Sequence, residues 1–360
     1  MNYDNKLITD IIASRKEKYT EIKNQSKNGI LLYGAGFIGR WALDYFKGNR
    51  TNIKYIVDRD EKKWGNNIDG VEVVGPDDVR IKNYPYIVIS VRHYVKEIEE
   101  LYDKQGATAM SFDAYYTIEK LSEYEDIRDN YMEDEMSKKT YNALLYTALT
   151  GDVRACEDVM VKDMYFALPR FSGGSMDEIF VDVGAFVGDS TERFVNENLG
   201  AFRHVYAFEP GKKQYTAMQK RIKRLCEEWC IEDDVFSLVR AGLSNRSCKM
   251  SSELALDTHM RDVLVEDNDN GDICVYTLDE YLAGKEVTFI KADIEGMEME
   301  MLQGAKETIE KYKPKIAISA YHYPCDLYCI AKYIKSINKE YKFDLRLHSR
   351  LWGDFVLYCY

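Results

Sequence analysis

The sequence predicts an α/β protein made of two domains, each built around a mainly parallel sheet. Two segments, beginning at Gly29 and Glu178, run from an apolar strand through a glycine turn into a helix, which is the order of a parallel α/β unit. The chain ends in two strands joined by a short turn, which implies an antiparallel pair. A length of 360 residues also suggests two domains of ordinary size.

Residues 1–115 are predicted to form a small Rossmann-like domain. Its first strand and helix lie in GILLYGAGFIGRWALDYF, residues 29–46. Further strands are predicted at 53–58 and 84–91, and the glycines and asparagines between them indicate turns around a short strand.

A glycine motif opens this domain. Gly34-Ala-Gly36-Phe-Ile-Gly39 follows the first predicted strand, and Asp58 ends the second, 24 residues after Gly34. Roughly 20 residues separate a dinucleotide fingerprint from its ribose-binding acid. The domain is short for a complete NAD fold, and it also resembles the nucleotide-sugar-binding front domains of bacterial sugar-modifying enzymes. Three interpretations stay open: a degenerate or docking domain, a sugar-nucleotide site and an NAD(P) site.

Residues 116–176 are predicted to form a helical connector. The segment is charged, has almost no glycine or proline before Gly151, and carries apolar residues at helical spacing at Tyr141, Leu144, Leu145 and Ala148. Its aromatic content argues against a disordered tether.

Residues 177–360 alternate strands with helices and form the second predicted domain. Strands are expected at 179–184, 204–209, 236–241, 287–293 and 315–321. Helices are expected at 189–198, 211–229, 297–312 and 326–338. The tail contributes the antiparallel hairpin.

The strand ends of this domain are where a ligand is expected, because ligands of open α/β sheets bind beyond the carboxyl ends of the strands. These ends are rich in glycine and polar residues. They are Asp182 to Gly188, Glu209-Pro210, Ala241-Gly242, Asp293 to Gly296 and Tyr321-His322.

The first two of these ends suit a nucleoside. Gly184 and Gly188 allow a tight turn and a close approach to a ligand at the start of the next helix. Glu209 stands where nucleotide sites hold ribose hydroxyls. The glycine spacing is wider than in G-x-G-x-x-G, which favours a nucleoside with an amino-acid tail over a pyrophosphate. S-adenosylmethionine is such a ligand.

Five stretches together resemble the FkbM-type S-adenosylmethionine-dependent methyltransferases over about residues 178–360. They are VDVGAFVGDST, VYAFEP, TLDEYL, FIKADIEGMEMEMLQGA and KPKIAISAYH. The resemblance implies a class I methyltransferase-like Rossmann fold and methylation of a hydroxyl, often on sugars or polyketide-like products. It implies a cofactor site made by Asp182, Gly184, Ala185, Phe186, Gly188, Asp189, Ser190, Glu209, Pro210, Ala241, Gly242 and Asp293.

The acceptor side of the site is expected around Asp293 and His322. Asp293 can offset the sulfonium charge or orient an acceptor hydroxyl, and Glu295 is expected to brace the loop or cap a helix starting near Met297. Lys291 lies two residues before Asp293 on the same sheet face, so an ion pair with a nearby acid is expected. His322 is the candidate general base. An ordinary hydrogen-bonded loop histidine is the alternative.

The remaining histidines and the cysteines are predicted to be structural. His204 and His348 lie away from the expected site, and His259 lies in an insertion that can also form part of an acceptor lid. The eight cysteines contain no C-x-x-C pair and are expected to be reduced thiols. His322, Cys325 and Cys329 include only three ligands without paired spacing, so we expect no metal there.

The charge of the chain argues against a nucleic-acid partner, since the formal net charge is −12 and phosphate binding needs concentrated Lys and Arg. A local basic cluster is predicted on an exposed helix face, with attraction of a phosphate-bearing substrate as the alternative. It comprises Lys212, Lys213, Lys220, Arg221, Lys223 and Arg224. No window is apolar enough for a membrane span, and the charged N-terminus does not look like a secretory signal. We therefore expect a cytoplasmic protein.

Three functions follow from these observations. The first is an S-adenosylmethionine-dependent methyltransferase acting on a hydroxyl of a small molecule or glycan precursor. The second is an NAD(P)-dependent oxidoreductase or sugar-nucleotide-binding protein centred on Gly34, Gly36, Gly39 and Asp58. The third is a binding protein without turnover. The sequence predicts neither the acceptor nor the oligomeric state.

Overall fold

The computed structural model describes residues 3–173, 175–254, 262–266 and 271–360. By its internal contacts the chain divides into two compact units. Unit 1 comprises Met1–Asp129, Lys138–Val159 and Arg350–Trp352, and unit 2 comprises Asn130–Ser137, Met160–Ser349 and Gly353–Tyr360. The division expected from the sequence, into 1–115, 116–176 and 177–360, stays a prediction.

Unit 1 contains a six-stranded sheet. Its elements begin α1 (Asn5–Gln25), β1 (Ile30–Tyr33), α2 (Phe37–Gly48), β2 (Ile53–Val57), β3 (Asn67–Ile68), β4 (Val71–Val74), β5 (Tyr86–Ile89), α3 (Val95–Lys104) and β6 (Thr108–Ser111). The strand order is β3-β4-β2-β1-β5-β6. Every neighbouring pair is parallel except β3 with β4. The sequence predicts β1, β2 and β5, but not β6, whose residues Thr-Ala-Met-Ser are not a run of large apolar or β-branched side chains.

Local chemistry explains how unit 1 begins. The Asp4 side chain accepts a hydrogen bond from the backbone N–H of Leu7 and so caps the start of α1. All four residues of β1 are buried, as expected for a central parallel strand covered on both faces.

The predicted connector is helical only in its first part. Its helices are α4 (Phe112–Glu119), α5 (Leu121–Asn130), α6 (Glu135–Thr150) and α7 (Arg154–Glu157). The described residues of 158–176 contain no helix, so the expectation of a helical connector up to residue 176 is wrong. Pro169 and Gly173 lie in this stretch, and both residue types disfavour a helix interior.

Unit 2 contains eleven strands and six helices among its described residues. They are β7 (Ile179–Val183), α8 (Asp189–Glu197), β8 (His204–Phe208), α9 (Lys212–Trp229), β9 (Phe236–Val239), β10 (Ala241–Leu243), β11 (Cys248–Leu254), β12 (Asp262–Glu266), β13 (Ile273–Tyr276), α10 (Leu278–Leu282), β14 (Phe289–Ala292), α11 (Glu298–Gln303), α12 (Lys306–Tyr312), β15 (Lys315–Ser319), α13 (Asp326–Ile337), β16 (Phe343–Leu347) and β17 (Phe355–Cys359).

The main sheet of unit 2 has seven strands in the order β16-β17-β15-β14-β7-β8-β9. Strand β17 is antiparallel to both β15 and β16, and the other neighbours are parallel. The predicted parallel sheet with a terminal antiparallel hairpin is therefore confirmed.

A second sheet in unit 2 is not predicted by the sequence. It has four strands in the order β10-β13-β11-β12. The strand expected at 236–241 ends at Val239, and Ala241 instead begins β10, which pairs in parallel with β13. Such pairing between distant segments leaves no local pattern in the sequence.

The helix expected at 297–312 is two helices, α11 and α12, which separate at Gly304. A Cβ on Gly304 would lie 2.0 Å from the Ser244 carbonyl oxygen, so the close backbone contact requires glycine here. The core of unit 2 includes Phe180, whose ring stacks on Phe194 with centroids 4.4 Å apart and packs against Phe289. None of the described helices has both the length and the apolar character needed to span a membrane.

Candidate functional site

Four strands of the main sheet end at one edge. Strands β15, β14, β7 and β8 are neighbours in that order and pair in parallel, so their carboxyl ends meet. We call this edge the rim and residues 184–188 the glycine loop. The rim carries the glycine loop after β7, Glu209 after β8, Asp293 after β14 and His322 after β15.

The glycine loop turns sharply from β7 into α8. Gly184 has φ +76°, and a Cβ there would lie 2.0 Å from the Asp293 carbonyl oxygen. Only glycine fits this position, because both the left-handed backbone and the contact exclude a side chain. Gly188, with φ +81°, is the N-cap of α8. Phe186 has φ +47° and is 51% exposed. The loop thus carries an exposed aromatic ring at the start of a helix.

Glu209 ties the glycine loop to the end of β8. Its Oε2 accepts a hydrogen bond from the Phe186 N–H at 2.9 Å, and its Oε1 accepts one from the Gly211 N–H at 2.7 Å. The residue is buried. Burial raises the pKa of Glu209 to about 7, although both hydrogen bonds oppose the shift. A buried carboxylate with this pKa can accept further hydrogen bonds from a ligand hydroxyl.

Asp182 contacts the protein rather than solvent. Its Oδ2 accepts hydrogen bonds from the hydroxyls of Ser190 at 2.6 Å and Thr191 at 2.7 Å. Its Oδ1 lies 3.1 Å from Lys291 Nζ, and the side chain is fully buried. Asp182 therefore holds the first turn of α8 and supports the glycine loop from inside the fold.

Lys291 forms the ion pair expected from the sequence, and its partner is Asp182. The ammonium also donates hydrogen bonds to the carbonyl oxygens of Val183 at 3.2 Å and Gly184 at 2.7 Å. The Lys291 side chain is only 3% exposed. It is therefore a buried cation that is stabilised by the Asp182 carboxylate and by carbonyl oxygens of β7 and the glycine loop.

Asp293 lies at the centre of the rim. Its Oδ2 accepts a hydrogen bond from the Tyr165 hydroxyl at 2.7 Å, and its Oδ1 accepts one from the Tyr321 hydroxyl at 3.2 Å. Burial opposes ionisation, but the charges of Lys291 and His322 and the two tyrosine hydroxyls lower the pKa of Asp293. Asp293 is therefore an anion at neutral pH.

Glu298 braces the turn after β14. Glu298 Oε1 accepts a hydrogen bond from the Ile294 N–H at 2.8 Å, and the side chain is 1% exposed. Glu295 has φ +60°, and its carboxylate is about half exposed. Helix α11 begins at Glu298 and its N-cap residue is Met297, so the expectation that Glu295 caps the helix is wrong. That Glu295 braces the loop stays a prediction.

His322 is surrounded by carboxylates. Its Nδ1 lies 3.1 Å from Glu298 Oε1, and its Nε2 lies 3.4 Å from Glu295 Oε2 and 3.7 Å from Asp293 Oδ1. Burial opposes protonation, but the three acids raise the pKa of His322 to about 10. The ring therefore carries its proton at neutral pH in this arrangement, and a base must first lose that proton.

The other predicted cofactor residues lie in the glycine loop, in α8, after β8 and in β10. Ala185 is buried in the glycine loop, Asp189 is exposed at the start of α8, and Pro210 is partly exposed after Glu209. Ala241 and Gly242 lie in β10 and thus belong to the four-stranded sheet.

Two of the other predicted histidines have structural partners. His204 Nε2 lies 2.9 Å from the Ser237 hydroxyl, and burial lowers its pKa. His348 Nδ1 lies 3.2 Å from the Val161 carbonyl oxygen, and burial lowers its pKa to about 4. Both fit the structural role predicted for them. His259, predicted as structural or as part of a lid, lies outside the described residues.

Unit 1 has a comparable loop at the end of β1. Gly34 has φ +106°, Gly36 is the N-cap of α2, and a Cβ on Gly39 would lie 2.0 Å from the Gly34 carbonyl oxygen. Asp58 Oδ2 accepts a hydrogen bond from the Ala35 N–H at 2.8 Å. The same carboxylate oxygen lies 3.4 Å from Lys63 Nζ.

The basic cluster on α9 is partly neutralised. Glu192 on α8 pairs with Arg221 and, at 2.6 Å, with Arg224. Glu228 pairs with Arg224 on the same helix. These contacts fit the exposed helix face predicted from the sequence.

The rim residues lie in a segment that matches a known protein family. The sequence model of the methyltransferase FkbM domain matches residues 182–341. The chain thus contains a segment that matches the FkbM methyltransferase domain. A second sequence model, described as C2185-like, N-terminal, matches residues 26–110 in unit 1. No curated protein was found to match the chain.

One solved structure shares the fold of this chain over its whole length. Methyltransferase FkbM from Methylobacillus flagellatus KT is 21% identical, with a TM-score of 0.61 over 99% of both chains. An rRNA methylase from Streptococcus thermophilus is 15% identical over 51% of this chain and 87% of its own, with a TM-score of 0.34. A Streptococcus mutans protein in complex with SAH is 14% identical over 51% and 89%, with a TM-score of 0.33. The last two likenesses are too weak to carry a conclusion.

Sequence patterns did not reveal two residues that contact the predicted site of the FkbM domain. In the sequence Glu298 is an ordinary acid in the first turn of a helix. The one signal for its role is its spacing of four residues from Ile294, whose N–H donates a hydrogen bond to it. Tyr165 is 128 residues from Asp293, in a stretch wrongly expected to be helical, so no local signal could have found it.

Proposed function

We propose that the chain transfers a methyl group from S-adenosylmethionine to a hydroxyl oxygen of a small molecule, and that the acceptor is a sugar or glycan precursor. The match of residues 182–341 to the methyltransferase FkbM domain supports the reaction class. The observation that best supports S-adenosylmethionine as the cofactor is the hydrogen bond from the Phe186 N–H to Glu209, which joins the glycine loop to the end of β8.

In this proposal Glu209 binds the ribose hydroxyls of the cofactor. Each hydroxyl can donate a hydrogen bond to a carboxylate that is buried and already oriented by two backbone N–H groups. The cofactor lies against the glycine loop, lined by Gly184, Ala185, Phe186, Gly188, Asp189 and Ser190, with Pro210, Ala241 and Gly242 nearby. Asp182 acts from behind as a positioning residue, because its oxygens contact Ser190, Thr191 and Lys291.

Asp293 lies at the reactive end of the cofactor. In the transfer, the acceptor oxygen forms a bond to the methyl carbon while the carbon–sulfur bond breaks. The electron pair of that bond stays on sulfur, so the sulfonium becomes a neutral thioether. The acceptor hydroxyl gives its proton to a base. An anionic Asp293 can attract the sulfonium and align it with the acceptor.

His322 is the proposed base, and its environment sets a condition on that role. The ring must be neutral to accept a proton, whereas the acids around it raise its pKa to about 10. A positive sulfonium beside Asp293 would oppose the attraction that these acids exert on the ring proton. Cofactor binding is therefore expected to lower the pKa of His322 toward neutrality.

The cofactor part of the proposal is tested by calorimetry with S-adenosylhomocysteine. We expect micromolar binding by the full chain and at least a tenfold loss in Glu209→Gln, because the amide removes one of the two acceptor oxygens and its charge. Glu227→Gln on the exposed face of α9 is the matched control and should bind normally. Absence of binding by the unchanged chain would refute the proposal.

The acceptor part needs a different measurement. The chain is incubated with cofactor labelled in its methyl group and with a glycan fraction from cell extract, and the labelled product is identified. Label on a sugar oxygen is the expected result, and it should disappear with Glu209→Gln. Label on nitrogen or carbon would leave the methyltransferase intact but reject the proposed acceptor.

Unit 1 supports a second candidate function, the binding of a nucleotide. The Ala35 N–H donates to Asp58 at 2.8 Å, just as the Phe186 N–H donates to Glu209 in the proposed cofactor site. The ligand would be a sugar nucleotide or, for an oxidoreductase, NAD(P).

A further inference from the structure

The turn after β14 and the end of β15 bring three metal-ligating side chains together. One oxygen of Asp293, one oxygen of Glu298 and one ring nitrogen of His322 all lie within 4.8 Å of one another. Two ligands about 2.1 Å from a shared ion are separated by about 3.0 Å at a right angle and about 4.2 Å in line. Small side-chain rotations would therefore bring all three atoms onto one ion.

Two of these side chains are buried with unused hydrogen-bonding capacity. Glu298 is 1% exposed and the His322 side chain is 0% exposed. Glu298 Oε2 and both nitrogens of His322 have no hydrogen bond of acceptable geometry within the described part of the chain. Buried polar atoms are almost always hydrogen bonded. Their environment therefore indicates a ligand that accepts lone pairs.

The charges around His322 point to a cation. Asp293, Glu295 and Glu298 all come within 3.7 Å of the ring. The ammonium of Lys291 is already paired with Asp182 at 3.1 Å. A single imidazolium would leave this group of acids with an excess of negative charge, and burying such an excess is costly.

We propose that Asp293, Glu298 and His322 form a binding site for one divalent cation of the first transition row. Imidazole nitrogen combined with carboxylate oxygen suits Zn²⁺ and Mn²⁺, whereas Mg²⁺ and Ca²⁺ prefer oxygen ligands alone. Three protein ligands leave open positions for water or for an oxygen of another molecule. Glu295, about half exposed, lies close enough to bind such a water.

Metal binding as such does not depend on methyl transfer, but its role in the reaction rests on the proposed function. An ion at Asp293 would lie beside the glycine loop, because the Asp293 backbone contacts Gly184. There it could hold the acceptor hydroxyl and make its proton easier to remove. In the metal-bound form His322 would act as a ligand of the ion in place of the base proposed above. This site departs from the expectation of no metal, since the positions 293, 298 and 322 match no familiar ligand spacing.

The test uses the full chain after treatment with EDTA and removal of the chelator. Binding of Zn²⁺ is measured by calorimetry, and binding of Mn²⁺ by the electron paramagnetic resonance signal of the free ion. We expect one ion per chain, with affinity at least tenfold lower in Glu298→Gln and His322→Gln. Glu310→Gln on the exposed face of α12 is the matched control and should bind as the unchanged chain does.

Several outcomes overturn the metal site. They are absence of binding by the unchanged chain, and binding that both site variants retain, which identifies an adventitious ion. Circular dichroism of each variant excludes misfolding as the cause of a loss. If Glu298→Gln lowers stability while no ion binds to any form, the protonated ring itself balances the acids and the proposal fails.

Binding of S-adenosylhomocysteine to the metal-free chain is measured in parallel. Nucleoside binding without metal binding refutes the ion and leaves the methyltransferase proposal standing. Metal binding without nucleoside binding refutes the methyltransferase proposal and leaves the ion site standing.

Discussion

Gly184 shows how a single backbone position shapes the rim. Its left-handed backbone and the 2.0 Å approach that a Cβ would make to the Asp293 carbonyl oxygen fix the distance between the glycine loop and the turn after β14. The cofactor side and the acceptor side of the proposed site therefore meet at a residue that has no side chain.

Replacing Gly184 by Ala should destabilise unit 2 and weaken nucleoside binding together. A left-handed alanine and a forced backbone shift add to a loss of about 2–5 kcal/mol in the free energy of unfolding. The comparison is Gly284→Ala, where φ is +82° but the nearest atom to a Cβ is 3.9 Å away. Urea unfolding followed by circular dichroism measures the free energy of unfolding of both variants. Calorimetry with S-adenosylhomocysteine measures their nucleoside binding. Equal losses in the two variants would contradict the role of the contact.

The residues predicted for the rim were found because they occupy strand ends. Asp182 lies near the end of β7, and Glu209, Asp293 and His322 come after β8, β14 and β15. The alternation of strand and helix that marks these ends is a local pattern. Their partners could not be predicted, because the contacts of Asp182 with Lys291 and of Asp293 with Tyr165 join segments distant in sequence. The pKa of His322 depends on burial and on Glu298, Glu295 and Asp293, which also come from another segment of the sequence.

At the scale of elements, Lys291 joins two strands and a loop. It lies on β14, pairs with Asp182 on β7, and donates to the carbonyl oxygens of Val183 and Gly184. These contacts hold the end of β7 against β14 where the glycine loop begins.

Lys291→Met should be strongly destabilising. The variant keeps most of the side-chain volume but leaves Asp182 as a buried, unpaired anion, and removing one partner of a buried pair costs about 3–5 kcal/mol. Lys313→Met is the control, because Lys313 is 54% exposed and its partner Glu340 is 76% exposed, so its loss should be much smaller. Chemical denaturation gives both values. A loss at Lys291 as small as that at Lys313 would contradict the stabilising role of the buried pair.

The elements that the sequence misplaced share a physical cause. Strand β10 was merged with β9 because both are short and adjacent, and only the pairing of β10 with β13 separates them. Helices α11 and α12 were merged because Gly304 weakens a helix only slightly in isolation. Gly304 also contacts Ser244 at the point where α11 ends, and this contact cannot be predicted from the sequence.

At the scale of the whole molecule, the chain has two units that each contain a glycine turn and an acid at the end of the next strand. In unit 1 these are Gly34 and Asp58, and in unit 2 they are Gly184 and Glu209. The family match to the FkbM domain concerns unit 2. The two acids can therefore be tested separately in one protein.

Asp58→Asn should leave S-adenosylhomocysteine affinity unchanged within about twofold, while Glu209→Gln loses it. If unit 1 binds a nucleotide, Asp58→Asn should weaken that ligand alone. Calorimetry with S-adenosylhomocysteine, UDP-glucose and NADH on both variants gives the full comparison. A loss of S-adenosylhomocysteine binding in Asp58→Asn would show that the nucleoside site is not confined to unit 2.

The exposed ring of Phe186 has a practical consequence. It projects from the glycine loop beside Glu209 and is half open to solvent, so a larger aromatic group can replace it without disturbing the core. An indole at this position would change its fluorescence whenever a nucleoside covered it. The loop thus provides an optical reporter with which ligands could be screened in solution before any acceptor is known.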